Sequence, residues 1–256
     1  TLTDPASLTV PASGETTFTV EFDPLTVGDK SATVSISNND ADEGTYTFAL
    51  SGRGKTGALT YLDRYSSGSI IQGARAVVMS PDGDHAYLAA HSQDAVALLS
   101  RNTTTGALTY VESYTDATIN ALYCLVVSPD GKHVYLINYQ DNRVLWFSRN
   151  SSTGSLTLVD NYTDLNIEGA DYVAISPDGA HVYVAAYDAA AVAWFSRNDS
   201  TGDLSYVGRY THADLNGTTA VSVSPDGSHV YVTSSLTHTV AWFTRKTTTG
   251  ELTYVD

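Results

Sequence analysis

The 256-residue sequence contains a single cysteine, Cys124. One cysteine excludes an intramolecular disulfide framework and any metal cluster built from cysteines. Cys124 lies in an apolar stretch that predicts a strand, so we expect a buried, unreactive thiol rather than a nucleophile. The sequence also lacks any run of about 20 apolar residues, the length that a membrane-spanning helix needs. These absences exclude an intramolecular disulfide framework, a metal cluster built from cysteines and a membrane-spanning helix within this sequence.

Basic residues are scarce as well. The chain has 13 Lys and Arg against 28 Asp and Glu, which gives a formal charge of −15. Binding nucleic acid or an anionic membrane requires clustered basic side chains, so both classes of partner are disfavoured. Charged residues make up 16% of the chain, below the roughly 25% of an average soluble domain. Together with abundant Thr, Ser, Gly and Tyr, this composition predicts a β-rich protein that is secreted or displayed at the cell surface.

A tandem repeat dominates the rest of the sequence. The tetrapeptide Ser-Pro-Asp-Gly begins at residues 80, 128, 176 and 224, a period of 48 residues. Its order of residues suits a type I turn, because Ser favours position i and Pro presets φ at i+1. Each turn joins an apolar run to a His-x-Tyr run, and both runs read as strands. Repeats of this length with four strands are typical of propeller blades.

Residues 1–53 lack the repeat and alternate apolar with polar residues. The alternation predicts short antiparallel strands at 7–10, 16–22, 32–37 and 45–50. The motifs Leu-Thr-Val-Pro-Ala-Ser-Gly, Phe-Thr-Val-Glu-Phe-Asp-Pro and Tyr-Thr-Phe-Ala-Leu-Ser-Gly resemble the second half of a choice-of-anchor D immunoglobulin-like domain. The resemblance implies a partial β-sandwich whose missing strands come from residues before Thr1 or from another chain.

Residues 54–256 form the second predicted domain, an orphan outer strand at 57–62 followed by four blades. Ser-Pro-Asp-Gly-x-His-Val-Tyr-Val, Ala-Val-Ala-Trp-Phe-Ser-Arg at 191–197 and Thr-Gly-x-Leu-Thr-Tyr resemble lactonase-like seven-bladed propellers and the YVTN repeats of microbial surface proteins. The resemblance implies an all-β chain in which a partial sandwich precedes four blades of a seven-bladed ring. The remaining blades would then come from a longer chain or from a neighbouring subunit.

Recurrence separates scaffold residues from site residues. Rotation about the ring axis points the copies of a recurring residue apart, so they cannot build one site. We therefore predict a scaffold role, and no shared metal, for the recurring histidines and arginines. These are His85, His133, His181 and His229, and Arg101, Arg149, Arg197 and Arg245.

Residues that break the repeat are better candidates for a site. The residue five positions before each turn serine, where the inner strand begins, is different in each of the four blades. The ends of the inner strands converge at the mouth of the channel, which favours a ligand site there. The alternative is that these loop residues vary because they have no function. The predicted ligand-binding residues at the channel mouth are Arg75, Tyr123, Asp171, Tyr172, Glu168 and His212.

The sequence contains no catalytic motif. It has no Gly-rich phosphate loop, no nucleophile elbow and no His-Glu-x-x-His run. No catalytic residue, metal or cofactor is therefore predicted. The resulting interpretation is a non-catalytic structural or interaction protein, and one form of it is a fibre subunit whose exposed strand edges pair with other chains or with copies of itself. The alternative, implied by the resemblance, is a lactone hydrolase like 6-phosphogluconolactonase that acts at the channel mouth.

Overall fold

The computed structural model describes residues 28–37, 45–54 and 61–255. The chain divides into two compact units, Thr1–Leu62 and Asp63–Asp256. In the first unit, β1 (Gly28–Ser37) and β2 (Thr45–Gly54) form an antiparallel hairpin. The strands predicted at 7–10 and 16–22 lie outside the described residues, so the immunoglobulin-like assignment stays a prediction.

The second unit contains four antiparallel sheets of four strands each, which confirms the predicted blades. Within each sheet the strands follow chain order, and the first strand is the inner one. Between residues 61 and 255 the helical segments are three single 3-10 turns, at His91–Gln93, Leu165–Ile167 and Ala213–Leu215. The first two blades are β3 (Ala74–Met79), β4 (His85–Ala90), β5 (Ala95–Arg101), β6 (Leu108–Thr115), β7 (Leu122–Val127), β8 (His133–Asn138), β9 (Arg143–Arg149) and β10 (Leu156–Thr163). The last two are β11 (Ala170–Ile175), β12 (His181–Ala186), β13 (Ala191–Arg197), β14 (Leu204–Thr211), β15 (Thr218–Val223), β16 (His229–Ser234), β17 (Thr239–Arg245) and β18 (Leu252–Tyr254).

The predicted orphan outer strand at 57–62 falls mostly outside the described residues. Its last two residues, Tyr61 and Leu62, are exposed and form no strand. None of the helices within the described ranges has the length and apolar character needed to cross a membrane.

Each Ser-Pro-Asp-Gly segment closes the turn that the sequence predicts. In the second blade, the Gly131 N–H donates to the Ser128 carbonyl at 2.8 Å. The Ser128 hydroxyl also accepts the His133 N–H at 3.0 Å, which fixes the start of the next strand. Gly131 has a φ of 70°, a conformation that glycine adopts without the steric cost of a Cβ. The turn residues therefore set where each second strand begins.

Neighbouring blades pack face to face through apolar side chains. Tyr87 and Leu98 of the first blade, for example, pack with Leu136 and Phe147 of the second, and all four are almost fully buried. The inner strands β3, β7, β11 and β15 pack side by side and line an open cavity of about 470 Å³. This packing places the starts of the inner strands beside one another.

A polar contact set, here called the blade lock, joins each pair of neighbouring blades. The Arg197 Nε donates to the Tyr135 hydroxyl at 2.8 Å, and its Nη2 contacts Asp130 Oδ2 and His133 Nδ1, both at 2.8 Å. The Tyr135 hydroxyl in turn donates to the Gly202 carbonyl at 2.9 Å. The same lock recurs around Arg149 with Tyr87, Asp82 and His85, and around Arg245 with Tyr183, Asp178 and His181.

Three of the four recurring histidines belong to blade locks, which is the scaffold role predicted for them. His85, His133 and His181 each contact a different arginine of the following blade. His229 instead contacts the Ser228 hydroxyl at 2.7 Å. Each histidine therefore makes its contact either within its own blade or with the next blade along the chain.

Candidate functional site

The candidate site begins with a β-bulge that recurs in every inner strand. The pairing of each inner strand with its neighbour skips one residue near the strand start, between Ala74 and Ala76 in the first blade. A bulge leaves its extra residue unpaired and re-aims that side chain. The bulge residues are Arg75, Tyr123, Asp171 and Thr219, the positions at which the repeat is broken. We call this end of the sheets the bulge rim and the opposite end, which carries the Ser-Pro-Asp-Gly turns, the turn rim.

Arg75 and Tyr123 contact each other across two blades. The Arg75 guanidinium carbon lies 3.6 Å from the centroid of the Tyr123 ring, a cation–π contact. Tyr123 also stacks on Tyr139 with ring centroids 4.5 Å apart, and His91 meets it edge-on at 5.4 Å. The bulge rim thus holds an arginine on an aromatic cluster.

Asp171 brings a carboxylate from the third blade to the same cluster. Burial raises the pKa of Asp171, and the positive charge of Arg75 opposes that rise. Burial, followed by the negative charges of Asp188 and Asp171, raises the pKa of Tyr139. Asp171 holds the bulge position of the third blade, equivalent to that of Tyr123 in the second, and it interacts electrostatically with Arg75 and Tyr139. A carboxyl group whose pKa is shifted by burial beside one specific charge is a candidate for a functional site.

Tyr172 and Cys124 form the link between the bulge rim and the cavity. Tyr172 is exposed and lines the cavity, and the neighbouring Cys124 is the main cause of its raised pKa. Burial raises the pKa of the Cys124 thiol to about 11. The thiol is therefore protonated at neutral pH, in keeping with the prediction that it is unreactive.

The two loop residues in the predicted set are placed differently. The His212 Nδ1 accepts the Asp214 N–H at 3.3 Å and the ring stacks on Tyr254, so this side chain caps a 3-10 turn beside the fourth blade. Asp164 caps the equivalent turn one repeat earlier. Glu168 is exposed at the end of that earlier turn. Of the predicted residues, Arg75, Tyr123 and Asp171 share one bulge position of three successive blades, and Arg75 contacts Tyr123. His212 belongs to a separate group.

Sequence reasoning missed His91 and Tyr139. Both follow the second strand of their blades at one repeat position, which Tyr187 and Ser235 occupy in the other two blades. This position breaks the repeat just as the bulge position does, so the same criterion could have found it. The His91 Nδ1 is buried and has no hydrogen-bond partner among the residues the structure describes. Buried polar atoms in native proteins are nearly always paired, so this atom is available to a ligand or water.

The protein family with this architecture matches most of the chain. The family described as "Lactonase, 7-bladed beta-propeller" matches residues 46–218 and 124–256. The chain belongs to this family. That membership confirms the resemblance drawn from the blade motifs. No curated protein matches this lactonase-family chain.

Solved structures share the propeller fold of this lactonase-family chain at low sequence identity. The periplasmic gluconolactonase PpgL of Pseudomonas aeruginosa is 21% identical, with a TM-score of 0.61 over 72% of this chain and 53% of its own. A proposed 6-phosphogluconolactonase from Bacteroides uniformis is 23% identical, with a TM-score of 0.62 over 71% and 53%. A Lactobacillus plantarum protein is 18% identical, with a TM-score of 0.66 over 88% and 64%. The chain therefore spans between about half and two thirds of the length of these proteins.

These matches overturn one prediction. The interpretation as a non-catalytic structural or interaction protein is wrong, because the chain belongs to a lactonase family and its structural neighbours include gluconolactonases. That interpretation rests on the recurring scaffold motifs, because the sequence contains no catalytic motif that would indicate an enzyme. The alternative, a lactone hydrolase, is the better supported reading.

Proposed function

We propose that this chain carries part of a lactone hydrolase whose active site lies on the bulge rim. The observation that carries the proposal is that three successive blades carry Arg75, Tyr123 and Asp171 at one bulge position, with the Arg75 guanidinium against the Tyr123 ring. Membership of the lactonase family supports the same reaction class. Fold alone does not determine function, so the chemistry rests on these side chains.

Asp171 suits the role of general base. Lactone hydrolysis requires a water molecule to lose a proton as its oxygen attacks the ring carbonyl carbon. The raised pKa of the half-buried Asp171 makes it a stronger base than an ordinary aspartate. The proton then passes to the ring oxygen as the bond between that oxygen and the carbonyl carbon breaks. The product is an open-chain hydroxy acid.

Arg75 suits the role of oxyanion stabiliser. Attack on the carbonyl places a negative charge on its oxygen, and a guanidinium held in position stabilises that charge without reorganisation. The Tyr123 ring covers one face of the Arg75 guanidinium and restricts its motion, leaving the N–H edges to donate. The Tyr123–Tyr139 stack beside it offers an aromatic surface for the substrate ring.

Steady-state hydrolysis of δ-gluconolactone, corrected for the spontaneous reaction, tests the proposal. We expect Asp171→Asn to lower kcat by about 10²-fold or more, because the general base is lost. Arg75→Met should lower kcat by a similar factor through loss of oxyanion stabilisation. Asp199→Asn is the matched control, since Asp199 lies in the loop between β13 and β14 at the turn rim, and it should retain wild-type activity.

The pH dependence gives a second readout in the same assay. The base must be ionised to act, so kcat/KM should fall as the pH drops through a pKa above 3.8, the ordinary value for aspartate. This acidic limb should disappear in Asp171→Asn. Unchanged activity in both variants at the bulge rim would refute the proposed site.

Three finer expectations from the sequence remain proposals. The composition supports a secreted or cell-surface location, and the family supports a complete ring of seven blades. Self-association is supported by the fourth blade, where Tyr231 is 42% exposed although its equivalent Tyr183 is fully buried. This exposed face suits another blade of the same repeat.

A further inference from the structure

Each blade lock consists of two halves, one on each of two neighbouring blades. The following blade contributes an arginine from the end of its third strand and a glycine carbonyl from the turn after it, as Arg197 and Gly202 do. The preceding blade contributes a tyrosine, an aspartate and a histidine, as Tyr135, Asp130 and His133 do. Four blades in a row use each half three times, so one copy of each half is left over.

The unused arginine half lies on the first blade. The Arg101 Nη1 donates to the Gly83 carbonyl of its own blade at 3.1 Å. Gly106 follows in the next turn, and no atom lies within 4 Å of the position that a Cβ would take there. At the same position in the second blade, a Cβ on Gly154 would lie 2.5 Å from the His85 ring of the preceding blade. Arg101 and Gly106 therefore offer an arginine half to a blade that precedes the first.

The unused acceptor half lies on the fourth blade and consists of Asp226, His229 and Tyr231. The Ser228 hydroxyl donates to Asp226 Oδ2 at 2.7 Å and contacts His229 Nδ1 at 2.7 Å. Tyr231 is exposed, whereas the equivalent Tyr183 is fully buried within its lock. Among residues 61–255, no arginine contacts any of these three side chains. The fourth blade therefore offers an acceptor half to a blade that follows it.

Apolar side chains beside the two unused halves are exposed in the same complementary way. Trp242 of β17 is 38% exposed, whereas the equivalent Trp194 is 7% exposed. Val77 of β3 is 62% exposed, whereas the equivalent Val221 is 2% exposed. Trp194 and Val221 belong to one cluster, in which the third blade packs on the fourth. The exposed faces of the fourth and first blades thus carry the two sides of one more blade interface.

From these complementary halves we propose that the fourth blade of one copy of the chain docks on the first blade of a second copy. Arg101 of the second copy then completes a blade lock with Asp226, His229 and Tyr231. A second copy fits because its first blade supplies the positive charge and the apolar residues that match this face. The contact is head to tail, so the copies either close a ring or extend as an open chain. The proposal specifies the self-association proposed above and does not depend on the lactonase activity.

Sedimentation equilibrium of the 256-residue chain tests this contact. The wild-type chain should form dimers or larger assemblies at micromolar concentration. Arg101→Glu and Asp226→Arg should each weaken this association at least about 30-fold, because each brings two like charges together in the lock. An equimolar mixture of the two variants should associate again, since the unchanged Asp226 of one variant can bind the unchanged Arg101 of the other.

Two control variants make the same charge changes outside both lock halves. Lys132→Glu and Asp199→Arg alter exposed side chains at the turn rim and should leave the association unchanged. The first blade already carries an acidic residue, Asp84, at the position of Lys132. Circular dichroism should show the same β-sheet signal in all four variants.

Three outcomes would overturn the proposal. One is a monomeric wild-type chain, which would leave the two exposed faces to blades of a longer chain. Another is association that neither lock variant weakens, which would place the contact elsewhere, for example at a strand edge. The third is a mixture of the two lock variants that stays dissociated.

Turnover measured on the same samples separates this proposal from the proposed function. Hydrolysis of δ-gluconolactone by a monomeric chain would support the lactonase activity and refute the docking. Association that depends on Arg101 and Asp226, without hydrolysis, would support the docking and refute the lactonase activity.

Discussion

At the scale of single residues, Arg197 and Arg101 show how the same residue acquires different importance in different blades. Arg197 bonds with Tyr135, Asp130 and His133 of the preceding blade, and its side chain is 1% exposed. Arg101 occupies the same repeat position, and its hydrogen bond in the described structure goes to the Gly83 carbonyl of its own blade. The blade lock therefore depends on a preceding blade that offers the acceptors.

Truncating these two arginines should have unequal effects on stability. We expect Arg197→Met to lower the free energy of unfolding by about 3 kcal/mol, because it leaves the buried lock partners uncompensated. Arg101→Met should cost about 1 kcal/mol or less, the value of one ordinary hydrogen bond. Urea unfolding followed by tryptophan fluorescence measures both. Equal losses would show that the lock contributes little.

At the scale of elements, the turn between the third and outer strands joins one blade to the next. Gly202 in this turn has a φ of +83°, and a Cβ there would lie 2.3 Å from the His133 ring of the preceding blade. Gly106, at the same position in the first blade, has a φ of +78°, and no atom lies within 4 Å of the position that a Cβ would take. The two glycines share a left-handed backbone but differ in their surroundings.

This difference predicts a graded response to alanine. Gly106→Ala should cost about 1–2 kcal/mol, because only the left-handed backbone is penalised. Gly202→Ala should cost about 1–3 kcal/mol more, since the His133 ring is held by Arg197 and cannot move away without disturbing the blade lock. Thermal unfolding of both variants measures the difference. If Gly106→Ala were as destabilising as Gly202→Ala, contact between the blades would not be the cause.

The elements were largely predictable from the sequence, and the site only in part. Turn chemistry and the 48-residue period determine the strands, so the blades could be placed from the repeat alone. Arg75, Tyr123 and Asp171 could be selected from the sequence because they break the repeat. Their position in a β-bulge could not be predicted, because an extra residue in one strand is visible only in the pairing with the adjacent strand. His212 also breaks the repeat, yet in the structure it caps the 3-10 turn that follows it. Sequence variation alone cannot distinguish such a cap from a binding residue.

At the scale of the whole molecule, the blades separate residues that repeat from residues that differ between blades. The turn rim carries the arginines and aspartates of the blade locks, which repeat because every pair of blades needs the same connection. The bulge rim carries residues that differ between blades and meet around Tyr123. A propeller can therefore keep its scaffold constant while a single site is assembled from several blades.

The position of a bound substrate analogue tests the central claim, that the bulge rim is the active site, most directly. A crystal structure of the chain with gluconolactam, in which nitrogen replaces the ring oxygen of the lactone, should show the sugar ring on the Tyr123–Tyr139 stack, with its carbonyl oxygen within about 3 Å of the Arg75 guanidinium. The Asp171 carboxylate should lie within hydrogen-bond reach of a water molecule beside the carbonyl carbon. Gluconolactam bound at the turn rim, or anywhere that leaves Arg75 and Asp171 uncontacted, would contradict the account.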